Sequence, residues 1–247
     1  MTEVETTRTG AVLELTLNRP AKKNALTGAM YRTLIAGLDE AEADAAIGAV
    51  LVKGAGGVFS AGNDIADFAA AAQSGEEMAA LDFVRKISTF SKPIVAAVEG
   101  LAIGVGCTLL LHCDLVYVAP DARFSLPFVD LGLLPEAGSS LLLPRRAGMA
   151  RASAWLLLAE AFSADEALAA GLVNAIIPNA DLSEFAEKKA AALAAKPRAA
   201  LLQARRFLRG DQDEITARIE AELVAFKAAL ATPQAQAALK AFLNKSK

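Results

Sequence analysis

The sequence predicts an α/β fold with βαβ units, a mostly parallel sheet and a helical C-terminal region. Three observations carry that expectation. Short apolar segments of strand length alternate with stretches of helical periodicity. From about Ala180 onward only helical, Ala-rich patterns remain. And 54% of the 247 residues are hydrophobic, enough for a substantial core. The division expected is residues 1–190 as an α/β core and 191–247 as a helical region.

The elements follow in order. Ala11 to Leu17 alternates as a strand, and Asn18-Arg19-Pro20 ends it. Thr27 is placed to cap a helix running to about Ala45, with Met30, Leu34, Ile35 and Leu38 on one face. Ala49 to Lys53 is a short strand, Gly54 to Gly57 a turn, and Val58-Phe59-Ser60 leads into a glycine loop. Glu76 to Phe90 is helical and stops before Pro93. Ile94 to Val98 is a buried strand, and Gly104 to His112 is a helix. Leu115 to Val118 and Phe124-Ser125 are further strands. Residues 186–195, 197–208, 214–230 and 233–243 are amphipathic helices.

Composition narrows the function. A net charge of −3 gives no basic surface for nucleic acid. Cys107 and Cys113 lie in apolar surroundings and suit buried free thiols rather than a disulfide scaffold. The single histidine, His112, excludes His-rich metal sites, and no metal site is expected. Met1 to Gly10 lacks an apolar core for secretion, and the apolar run from Leu101 to Leu111 is shorter than the ~20 residues that span a bilayer. The chain is expected to be cytoplasmic, with no membrane partner.

Two glycine turns bear on chemistry: Ser60-Ala61-Gly62-Asn63-Asp64 and Gly104-Val105-Gly106. The second follows a strand and opens a helix, a setting that also suits a dinucleotide loop. The Tyr-x-x-x-Lys pair of short-chain dehydrogenases is missing, however: Tyr31 is followed at that spacing by Ile35 and Tyr117 by Asp121. The other use of such turns is an oxyanion hole, because the first N–H groups of a helix lack intrahelical partners. A lone acid, Glu136, lies in the Pro/Gly-rich break Leu134-Pro135-Glu136-Ala137-Gly138. On spacing alone, tight turns and a surface helix-opening acid remain open readings.

Asn18-Arg19-Pro20 with Asn24-Ala25-Leu26, Phe59 to Asp64, Ala97 to Gly100 with Gly104 to Cys107, Cys113-Asp114, Ala164 to Ala167 and Gly171-Leu172-Val173 together resemble the crotonase (enoyl-CoA hydratase/isomerase) superfamily. These motifs are in order and cover nearly the whole chain. The resemblance implies a spiral of ββα-type units, a C-terminal helical trimerisation region, a homotrimer or dimer of trimers, and an acyl-CoA thioester substrate. No separate cofactor is implied, since coenzyme A is part of that substrate. The oxyanion hole would map to the N–H groups of Asn63 and Val105. Substrate or CoA binding would involve Lys23, Ala25, Ser60, Ala61, Gly62, Asp64, Ile65, Gly104, Thr108, Phe128 and Leu133, with Asp64 also holding its loop. Lys22 is a further candidate for the CoA phosphates, and Phe242 and Lys245 for a neighbouring subunit's CoA. His112 and Trp155 are expected to pack, and Asp130 to sit in a turn.

Hydratases of this superfamily carry two glutamates, at positions that correspond here to Thr108 and Phe128. Neither side chain replaces a carboxylate. The stretches Phe124 to Phe128 and Leu131 to Ser140 instead resemble the Δ3,Δ2-enoyl-CoA isomerase branch, whose catalytic glutamate follows a proline, here Pro135. That implies a proton shuttle by Glu136 from C2 to C4. A hydratase or another crotonase-type acyl-CoA enzyme is the alternative, and a non-catalytic binding subunit of this fold is the alternative from a different class. A helix beginning near Pro135 would lower the Glu136 pKa and burial would raise it; the balance expected is a moderate rise.

Overall fold

Val4–Thr9 (β1) and Val12–Leu17 (β2) form a hairpin whose turn is made by Gly10 at φ +61° and Ala11. The computed structural model describes residues 2–74 and 78–245. β2 continues into a parallel sheet with Ala49–Gly54 (β3) and Ile94–Val98 (β4). After β4 the chain turns at Gly100 into Leu101–Ile103 (β5), which leaves this sheet. Leu115–Val118 (β6) returns to the first sheet beside β4, and Arg123–Ser125 (β7) joins the second beside β5. Phe162–Ser163 (β8) closes the second sheet and Ala175–Ile176 (β9) the first. Successive windings thus give one strand to each sheet.

The second sheet extends beyond its three named strands. Ser60 N–H donates to Leu101 O at 2.8 Å and Ile103 N–H to Ser60 O at 3.0 Å. Leu26 N–H then donates to Gly62 O at 2.7 Å, and Asp64 N–H back to Leu26 O at 2.9 Å. Both glycine turns are therefore rungs of one hydrogen-bonded ladder, which fixes their separation.

The helices are Gly28–Ala43 (α1), Ile65–Ser74 (α2), Ala79–Thr89 (α3), Val105–Thr108 (α4), Ser139–Ala147 (α5), Met149–Leu157 (α6), Ala164–Ala169 (α7), Asn179–Ala194 (α8), Arg198–Arg209 (α9), Gln212–Leu230 (α10) and Pro233–Lys245 (α11). Thr27 caps α1 as expected, accepting from Met30 N–H at 3.3 Å. The helix expected over residues 104–112 is one α-turn followed by a 3-10 segment, Leu109–His112. The expected start of α3 at Glu76 lies outside the described residues. β1 and α2 had no sequence counterpart: β1 is an edge strand exposed beyond Val4, with no apolar alternation.

α1 packs on one face of the first sheet, against β1, β2 and β3. α8 covers the other, setting Leu182, Ala186 and Ala190 against Val12, Leu51, Val95 and Tyr117. The expected division at 190/191 falls inside α8. α10 lies against α3 through a two-pronged Arg85–Glu220 pair, and Phe226 meets Phe68 of α2 edge-on at 6.0 Å. Among the described residues no helix is long and apolar enough to cross a membrane.

Candidate active site

Backbone geometry builds one side of the site. Gly62 has φ +84°, and a Cβ there would lie 2.7 Å from Ile103 O. Gly104, at φ +53°, has open space around it, so its requirement is conformational only. Each glycine precedes a residue whose N–H, that of Asn63 or Val105, has no acceptor among the described residues. The ladder holds these two donors, and Ser60 braces the first loop. Its buried hydroxyl donates to Asn24 O at 2.9 Å and accepts from Gly62 N–H at 3.1 Å.

Asp64 holds its loop, as expected. It accepts from Ala66 and Asp67 N–H at 3.1 Å each and pairs with Arg19 at 2.7 Å. Burial would raise its carboxyl, but the Arg19 guanidinium and these N–H groups hold it below the usual carboxylate range. Tyr31, buried on α1, donates to Asn63 Oδ1 at 2.5 Å. Sequence reasoning passed over Tyr31 except to reject a dehydrogenase motif. Lys22 and Lys23 are exposed, Lys23 at φ +50°. Ala25 is half-buried with its carbonyl on Arg19.

Side chains build the other side. α5 begins at Ser139, not near Pro135, so Glu136 stands in irregular chain ahead of the helix. Ala137 and Gly138 follow it with φ +58° and +70°, and these two left-handed residues are what delay the helix. Glu136 is only 5% exposed, which removes the surface-acid reading. The Thr108 hydroxyl donates to Glu136 Oε1, while Oε2 is buried without a partner. Burial raises the carboxyl from its ordinary 4.5 to about 8; the Thr108 bond works against this and the Glu222 charge adds to it. Phe128 and Leu133 are both buried and share the turn that delivers Glu136, Leu133 N–H donating to Phe128 O at 2.8 Å. Ile65 opens α2 behind Asp64.

His112 packs, as expected, but also holds this loop: its Nε2 meets Ala137 O at 2.8 Å. Burial depresses its pKa to about 3, so the ring is neutral and the bond requires the proton on Nε2. Trp155 stacks on Phe162 with ring centres 3.9 Å apart, and Asp130 sits exposed in a turn. Both cysteines are buried and free, with thiols pushed upward by burial, Cys113 to about 12.

The residue sequence reasoning missed is Glu222, on α10. It is buried and accepts from Gly138 N–H at 2.6 Å, Ser140 N–H at 3.0 Å and the Ser140 hydroxyl. An available signal was an acid within the apolar stripe Ile215, Ile219, Leu223, Phe226. Glu136 and Glu222 are the buried acids among the described residues, and only Glu136 keeps an unengaged oxygen. No group of three or more metal-ligating side chains occurs among the described residues. A cleft of about 470 Å³ opens beside Pro93 and Asp114, at the other end of β4 and β6; His112 lines it, but Asn63, Val105, Glu136 and Glu222 do not.

The family model for enoyl-CoA hydratase/isomerase matches residues 7–247. The chain is 36% identical to 2,3-dehydroadipyl-CoA hydratase of Escherichia coli over 251 residues, which cover 99% of this chain and 97% of that protein. It is 40% identical to rat (Rattus norvegicus) enoyl-CoA delta isomerase 2 over 178 residues, 70% of this chain and 45% of that one. Among solved structures, that of Pseudomonas aeruginosa OdaA superposes with a TM-score of 0.93 at 40% identity, covering 98% of this chain and 99% of that chain.

Proposed function

The chain belongs to the enoyl-CoA hydratase/isomerase family, and from that premise we propose that it is a Δ3,Δ2-enoyl-CoA isomerase. The thioester carbonyl of a 3-enoyl-CoA accepts from the N–H groups of Asn63 and Val105. Glu136 removes a proton from C2, leaving a dienolate whose negative oxygen those donors stabilise. The same carboxyl returns the proton at C4, so the double bond moves into conjugation and no atom is gained or lost. Phe128 and Leu133 provide apolar walls that keep water from the dienolate. Lys22 and Lys23 are the cations available to CoA phosphates.

The observation that carries this reading is that Glu136 is the one buried acid among the described residues with an unengaged oxygen. A buried carboxyl with one unengaged oxygen and a pKa near the working range suits a group that must both take and return a proton. Adding water asks for a second acid, and Thr108 is committed to Glu136 while Phe128 has no proton to give. A hydratase is the second reading, favoured by the E. coli relative named for that activity. We also assign the exposed apolar residues Met149, Leu157, Leu158, Phe207 and Leu208 to subunit contacts in a trimer or a dimer of trimers.

The test follows 3-enoyl-CoA to 2-enoyl-CoA conversion with a parallel hydration assay, over a range of acyl chains. Isomerisation should exceed hydration and vanish in Glu136→Gln. Hydration faster than isomerisation overturns the assignment in favour of the hydratase, and no turnover of either kind favours a binding subunit.

A further inference from the structure

We propose that Glu222 is the positioning residue of this site: from α10 it pins the Ala137–Ser140 turn that presents Glu136 and sets a second acidic group behind it. The inference rests on the reading of Glu136 as the proton-transfer group. It starts from an anomaly in α10, where a carboxylate occupies a core-facing position among Ile215, Ile219, Leu223 and Phe226. A buried charge is costly unless hydrogen-bonded. Here three donors compensate it: Gly138 N–H, Ser140 N–H and the Ser140 hydroxyl.

Those donors need Glu222 as much as it needs them. The first N–H groups of α5 have no intrahelical acceptor, and the N-cap residue is Gly138, which has no side chain to supply one. A carboxylate from a helix 82 to 84 residues away fills that role. The turn it pins contains two consecutive left-handed residues, one of them the non-glycine Ala137. His112 restrains the same turn through Ala137 O. Glu136 is thus the residue just before a turn clamped on both sides.

Charge is the second part of the role. The groups around Glu136 are Tyr31 from α1, Cys107 and Thr108 from α4, His112 from the 3-10 segment and Glu222 from α10. Burial keeps the Tyr31 and Cys107 protons on and the His112 ring neutral. Glu222 is the group that acts on Glu136 through charge, and it makes the Glu136 proton harder to lose. Burial raises the Glu222 carboxyl above its usual range, and the Ser140 and Gly138 bonds oppose that rise, as does Arg218, exposed one turn earlier on α10, which donates to the Ser140 hydroxyl at 3.2 Å.

The test is a titration of Glu136 by ¹³C NMR on glutamate-labelled protein, its signal assigned by difference from Glu136→Gln. In Glu222→Gln the Glu136 midpoint should fall by about half a pH unit or more. The acid limb of kcat/KM should move with it, and kcat should drop about tenfold at nearly constant KM. Glu222→Asp, which retains the charge at a shorter reach, should leave the midpoint near that of the parent and still lower kcat. An unmoved midpoint in Glu222→Gln overturns the proposal. If that variant does not fold, Ser140→Ala removes one donor to Glu222, and an unchanged kcat there overturns it instead. Because the NMR midpoint needs no turnover, activity surviving in Glu136→Gln would refute the base assignment alone.

Discussion

Asn63 and Val105 owe their positions to backbone; Glu136 owes its position to side chains from elsewhere in the chain. Asn63 lies within the ladder and Val105 just past its end, each preceded by a glycine in the left-handed region. The carboxylate is held by Thr108, and its loop by His112 and Glu222, residues 28, 25 and 84 positions from their partners. A ladder bond is indifferent to side-chain identity beyond its glycines and cannot be retuned by one substitution outside them. A carboxylate held by a hydroxyl and faced by a second acid can be. The donor side therefore fixes geometry, while the acid side sets a pKa.

The largest effect separating the two sides is expected in Glu136→Gln. Isomerisation should fall by about 10³-fold or more, with acyl-CoA affinity nearly unchanged. The same variant should be more stable than the parent above pH 4.5. A carboxyl whose folded pKa is raised from 4.5 to about 8 binds more protons folded than unfolded throughout that interval, so stability drains as pH rises across it. Thermal unfolding of the two proteins from pH 4 to 9 should diverge progressively up to about pH 8. Parallel curves would show that burial does not hold this carboxyl in its neutral form.

Gly62→Ala should strike the donor side alone. Its Cβ would meet Ile103 O at 2.7 Å with φ at +84°, so the rung must shift. Displacing an oxyanion donor costs about 10²–10³ in kcat, and the pH profile should keep its parental midpoint. A moved midpoint would mean that the two sides are not independent.

The same contrast explains what could be read from the sequence. Gly62, Gly104 and the polar turns around them are local signals, and they led to the loops and, with the family resemblance, to Asn63 and Val105. Thr27 announced α1 in the same way, through a cap three residues from its donor. Glu136 was found, but the helix drawn from Pro135 was not there, because left-handed Ala137 carries no signature that distinguishes it from a helical alanine. Glu222 shows in the sequence only as an acid in an apolar stripe, and its partner appears once α10 is packed against the Gly138 turn, as that of Tyr31 does once α1 meets the Asn63 loop. Long-range side-chain pairing is a property of the assembled fold, and no spacing rule reports it.

A smaller effect sharpens the acid side. The Thr108 hydroxyl favours the ionised form of Glu136, so Thr108→Val should raise its pKa further. The acid limb of kcat/KM should move to higher pH. Activity at neutral pH should fall several-fold and recover in alkaline buffer. A loss equal at all pH values would mean that Thr108 shapes the pocket without tuning the base.

The smallest effect is predicted for Asp64→Asn, on the donor side. The carboxylate caps α2 through Ala66 and Asp67 and pairs with Arg19, and both partners of that pair are largely shielded, 17% and 19% exposed. Asparagine keeps a capping oxygen but loses the ion pair, so about 1 kcal/mol of stability should go at neutral pH. The sign opposes that of Glu136. Asp64 has a depressed pKa, so its contribution is complete above the usual 3.8 and is lost as pH falls through the lower folded value. The deficit of Asp64→Asn should therefore disappear in acid, whereas the gain of Glu136→Gln appears only as pH rises. Because the backbone bonds of Leu26 to Gly62 and Asp64 still position Asn63 between them, kcat should stay within about threefold of the parent, a barrier change under about 1 kcal/mol. A larger loss of kcat would show that the loop needs a side chain as well as its ladder, and the donor side would then resemble the acid side.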